Sequence, residues 1–161
     1  MELHQVKYSD LSSISHAIFV SEYERFQSPE FLVIRYAGEY RIGSAGNPDA
    51  KYIFGTAAGA HAAWQANAVI LDFTDLSYTW GDAIEMVLSI GLRPDLKIEF
   101  PVVIIVGEHC REALQSLLTD EYSNYCVGTL DEALELARKK IRQYQTAVEE
   151  YRRSLRRGNG G

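Results

Sequence analysis

Ala68-Val69-Ile70-Leu71-Asp72-Phe73 is the stretch that decides the fold. Its apolar run is continuous rather than alternating, so the strand it forms must be covered on both faces. A second such run, Pro101-Val102-Val103-Ile104-Ile105-Val106, ends at Gly107. Two strands of this kind belong to a layered α/β domain, provided that helices lie between and around them.

The flanking sequence supplies those helices. Upstream, Asp49 to Ala66 is Ala-rich, with Tyr52, Gly59, Ala63 and Ala66 at helical spacing. Gly55 and Gly59 each cost about 1 kcal/mol relative to Ala inside it. Between the two strands, Ile84, Val87 and Leu88 predict a helix starting near Asp82. After the second strand, Ala113, Leu114, Leu117 and Leu118 form another helical stripe. Tyr125-Cys126-Val127 reads as a short strand closed by Gly128. Thr129 then opens the last helix, with Glu132 three residues on as a capping box and Ala133, Leu134, Ala137 and Ile141 as its apolar face. On the amino-terminal side, Phe31 to Tyr36 is a good strand, while residues 4–8 and 15–20 are weaker ones. Strands separated by helices of these lengths pair in parallel through crossovers. The expected architecture is a mixed, mostly parallel sheet with early antiparallel strands. Residues 1–140 form one domain, and residues 141–161 extend its last helix into a basic tail.

Composition excludes several classes. At 161 residues, with 47 % hydrophobic and 24 % charged residues, the chain is neither disordered nor of low complexity. No apolar run reaches the roughly 18–20 residues of a membrane span, and the acidic start predicts no signal peptide. Cys110 and Cys126 make neither a disulfide framework nor a CxxC metal pair, which fits a reducing cytoplasm. The stretch from Arg138 to Arg157 carries +6, leaving −12 for the remainder. An acidic body suits a basic protein partner and not nucleic acid. The apolar stripe of the last helix also offers a surface for homo-oligomers.

Chemistry-bearing residues are few. Asp72, Asp75 and Asp82 cluster around the carboxyl end of the central strand, the edge where α/β sheets bind ligands. With His61 they would serve an enzyme such as a metal-assisted hydrolase, yet Asp75 reads equally as a turn residue and Asp82 as a helix cap. Cys110 stands at the start of a predicted helix, where a thiolate is favoured, but His109 beside it points elsewhere. No GxSxG, GxGxxG or Walker motif and no zinc spacing occurs, so neither cofactor nor metal is expected. Tyr78, Trp80 and Asp82, with Asp75, form an aromatic and acidic candidate contact surface.

The segment from Val69 to Tyr78, followed by a helix, resembles the STAS domain of anti-sigma-factor antagonists. The element order over roughly residues 28–140 and the closing Thr129-Leu130-Asp131-Glu132-Ala133-Leu134 are also similar. Where that family has Asp-Ser-Ser-Gly, this chain has Trp80-Gly81-Asp82-Ala83. Gly81 stands at the position of the family's phosphorylated Ser and has no hydroxyl. The resemblance therefore implies the fold and a protein-binding role, without the phosphorylation switch. The expected function is a non-enzymatic regulatory domain, in one form an immunity or antitoxin-type inhibitor of a basic partner. A crotonase-like enzyme is the alternative, but the glycine-rich oxyanion loop it needs is missing.

Overall fold

The computed structural model describes residues 1–24, 27–96 and 98–158, with side chains through residue 156. Five strands form a single sheet in chain order: β1 (Ser15–Val20), β2 (Phe31–Glu39), β3 (Ala68–Ser77), β4 (Val102–Val106) and β5 (Cys126–Val127). β1 runs antiparallel to β2, and β2 through β5 are mutually parallel. The helices are α1 (Asn47–Trp64), α2 (Arg111–Leu118), α3 (Tyr122–Tyr125) and α4 (Leu130–Gly158). This is the expected α/β class with a mixed, mostly parallel sheet and a long carboxyl-terminal helix.

The continuous apolar runs sort their side chains between two layers, as strand alternation requires. Val69, Leu71 and Phe73 of β3 and Val102, Ile104 and Val106 of β4 join the larger cluster, with Ala50, Ile53 and Ala57 of α1 and Leu114 of α2. Ala68 and Ile70, with Val103, Ile105 and Phe31, form the second cluster under Ala133, Ala137 and Ile141 of α4. The buried face of α1 runs through Ala50, Ile53, Ala57 and Ala60 rather than through Gly59 and Ala63, which are exposed.

Two local expectations differ from the structure. Residues 4–8 form no strand: the chain is irregular to Lys7, and Tyr8–Asp10 is a 3-10 turn. The Tyr8 ring lies against α1 where Gly55 has no side chain, so this segment docks on a helix instead of pairing. The helix expected from Asp82 is a 3-10 segment, Asp82–Ser89. Its buried residues, continued by Ile90 just beyond it, are Ile84, Val87 and Ile90, each 1 % exposed. They recur every third residue, the period of a 3-10 helix. Packing of α4 continues past residue 140. Ile141 is buried, and the Tyr144 ring meets Phe100 edge-on at 5.6 Å between centroids.

The α4 capping box forms as its sequence predicts. Glu132 accepts from the Thr129 and Gly128 amides at 3.0 Å, and the Glu132 amide donates to the Thr129 hydroxyl at 3.3 Å.

Candidate functional site

The carboxyl ends of the parallel strands open into three loops that hydrogen-bond to one another. The Tyr40 amide, after β2, donates to the Ser77 carbonyl at the end of β3 (2.9 Å). The Gly43 amide donates to the Trp80 carbonyl (3.0 Å), and the Tyr78 amide to the His109 carbonyl after β4 (3.1 Å). The loops thus make one braced rim, although loops are usually the mobile part of such a fold.

Two glycines let this rim close. Gly43 has φ +62, and a Cβ there would lie 2.5 Å from the Trp80 ring. Gly81 has φ +150, and its carbonyl accepts the Tyr78 hydroxyl at 2.9 Å. Both backbones sit in a region that side chains disfavour. The Trp80 ring consequently rests against the Gly43 backbone and remains 60 % exposed. Ile42, immediately before Gly43, is 64 % exposed.

The residues proposed from sequence as one contact surface separate into three settings. Tyr78 is not on the surface: it is 2 % exposed and packs edge-on against Tyr40 with ring centroids 5.1 Å apart. Burial pushes its hydroxyl up to about 12, and does the same for Tyr40. Trp80 and Asp82 stay on the exposed rim, with Gly81 between them. Asp75 is exposed, but the strand register pairs it with Ala37, on the sheet face that also carries Arg35 and Asp72. A one-residue bulge in β3, between the pairs Arg35↔Asp72 and Ala37↔Asp75, sends the chain there. Ile42 was missed in the sequence; its signal is a lone large apolar residue inside a glycine-rich turn.

The carboxylate set of the enzyme alternative does not assemble. Asp72 accepts from Arg35 Nε (2.8 Å), the Thr74 amide (3.0 Å) and Thr74 Oγ1 (2.5 Å). Burial alone would raise its pKa; these hydrogen bonds and the guanidinium outweigh it and hold the carboxyl below its ordinary range. Asp72 is therefore a committed structural anion. His61 lies at the other end of the sheet, its ring 4.3 Å from that of Phe100, which precedes β4. Burial lowers its pKa. Cys110 is the N-cap residue of α2, but its thiol is buried and faces the Phe73 and Gly107 carbonyls. Burial raises its pKa, the reverse of an activated thiolate. Among the described residues, no cluster of three or more His, Cys, Asp or Glu side chains is placed to hold a metal ion. No helix among them is long and apolar enough to cross a membrane.

Neither a protein-family model nor a curated protein sequence matches the chain.

Proposed function

We infer that this chain is a non-enzymatic protein-binding domain, STAS-like in architecture, that presents Trp80 to a basic partner. The observation that carries this reading is the exposure of Trp80 on the Gly43 backbone, with Ile42 adjoining. An indole held against rigid main chain loses little entropy on binding, which is why aromatic anchors dominate interfaces. Asp82 adds an acid beside the anchor, and the −12 carried outside the stretch from Arg138 to Arg157 attracts a partner of opposite charge. The STAS-like reading is supported by the strand–turn–helical order around β3 and by the capped closing helix. Gly81 departs from the family's phosphorylated Ser and supplies instead a positive-φ turn whose carbonyl accepts the Tyr78 hydroxyl. The partner is thus bound constitutively, as an immunity or antitoxin-type inhibitor in the cytoplasm would require.

The test is a capture from the native host with immobilised wild-type chain, followed by binding kinetics on the captured protein. Trp80→Ala is expected to speed dissociation, at a cost of about 2–4 kcal/mol. Asp82→Lys should slow association, most strongly at low salt. Both variants are first checked by circular dichroism. Unchanged rates in both folded variants would move the contact surface elsewhere, and a turnover lost in Asp72→Asn or Asp82→Asn would restore the enzyme alternative.

A further inference from the structure

β1 is the edge of the sheet, and Ser15 to Phe19 are all exposed. Which of its main-chain groups are free follows from the ladder. The Ser21 amide donates to the Phe31 carbonyl at 3.0 Å. In an antiparallel pair the direction alternates, so Phe19, Ala17 and Ser15 also turn their amides and carbonyls toward β2. His16, Ile18 and Val20 turn theirs outward.

Natural sheets guard such an edge with charges, proline or bulges. Ser15-His16-Ala17-Ile18-Phe19-Val20 contains no Lys, Arg, Asp, Glu or Pro, and its register with β2 is unbroken. Instead it exposes Ile18 (42 %) on one face of the sheet and Phe19 (50 %) on the other. In a chain of net charge −6, this uncharged strand is an edge that two copies can share without juxtaposing carboxylates within it.

The strand is also complementary to itself. An antiparallel pair about a two-fold axis at Ile18 puts the free groups of His16, Ile18 and Val20 opposite those of Val20, Ile18 and His16. Ile18 then meets Ile18 of the second copy on one face. On the other face, Phe19 meets Ala17, a large residue over a small one, at the closer, non-hydrogen-bonded spacing. Ala17 pairs in register with Arg35, whose guanidinium already lies 5.9 Å from the Phe19 ring of its own chain. Phe19 of the second copy would lie over Ala17, on the sheet face that carries Arg35.

We propose that two copies of this chain pair antiparallel through β1, joining their sheets into one continuous sheet. This surface is distinct from the Trp80 rim, so the dimer and the partner-binding reading stand or fall separately. A strand of this length gives an interface below the roughly 1,200 Å² of standard complexes, and the expected Kd is about 10–100 μM.

Sedimentation equilibrium of the full chain from about 5 to about 500 μM is the test. Wild type should associate to dimers; Ile18→Lys and Phe19→Lys should weaken this at least about tenfold; Leu155→Lys, on the exposed end of α4, should leave it unchanged. Hydrogen exchange of the wild type gives a second readout that needs no variant. As concentration rises, the His16, Ile18 and Val20 amides should exchange more slowly, while those of Ala17 and Phe19, already bonded to β2, should not change. A monomer throughout the range overturns the proposal. So does loss of association in Leu155→Lys alone, or the absence of concentration-dependent protection at the three outward amides.

Discussion

Asp49 and the two cysteines show how single side chains are committed by their surroundings. The Asp49 side chain is 1 % exposed and is held by Arg41 through its backbone amide (2.9 Å), Nε (2.9 Å) and Nη2 (2.7 Å). Burial alone would raise its carboxyl, but these bonds win and hold it below the ordinary carboxylate range. Asp49→Ala should cost about 2 kcal/mol in urea unfolding at neutral pH. Because the folded pKa is depressed, that contribution is present above the unfolded-state value of about 3.9 and disappears as pH falls through the folded one. The gap between wild type and Asp49→Ala should therefore close in acid; a constant gap down to about pH 2 would refute the assignment. Cys110 and Cys126 are both buried and free, and burial pushes the Cys126 thiol up to about 12. Ellman's reagent should find no fast-reacting thiol in the native protein and both on denaturation. A fast native thiol would refute the burial of Cys110 or Cys126.

At the level of elements, the segment after β3 is the most informative. Sequence periodicity singled out Ile84, Val87 and Leu88, an α-helical triple, whereas the buried residues are Ile84, Val87 and Ile90. Helical and 3-10 periods share the i+3 position and part company at i+4, so the residue that separates them is the third. Ile90→Ala should cost about 2–4 kcal/mol in chemical denaturation, and Leu88→Ala, only partly buried, clearly less. The opposite ranking would mean that the segment is α-helical in solution. The α4 capping box was legible in the sequence because both of its partners lie within four residues. By contrast, the separation of Asp75 from Trp80 was not, since it depends on a bulge in β3 that only the pairing with β2 exposes.

For the whole molecule, α4 is the lid of one layer. Phe31, Ala68, Ile70, Val103 and Ile105 are covered on that face by Ala133, Ala137 and Ile141 of α4, with Leu134 and Leu136 packed against the same cluster. A chain ending at Gln145 keeps Ile141 and Tyr144 and should melt within a few degrees of the full chain. A chain ending at Lys140 loses both and should melt about 10 °C lower. Equal melting of the two truncations would place the domain boundary at residue 140.

Sequence alone determined the layers of this protein. Continuous apolar strands demand cover on both faces, and amphipathic stripes between them supply it. Those signals are local, so the class, the central place of β3 beside β4 and the cap of α4 could be read directly. Which aromatic is core and which is surface was decided only in three dimensions. Tyr78 and Trp80 are two residues apart and equally apolar in pattern. Their fates depend on Gly43 and Tyr40 from another loop, about 40 residues away in the chain. The same holds for Asp72, whose role as an anion for Arg35 rests on strand register. Contacts between distant segments leave no period in the sequence, and both the candidate binding rim and the open β1 edge are made of such contacts.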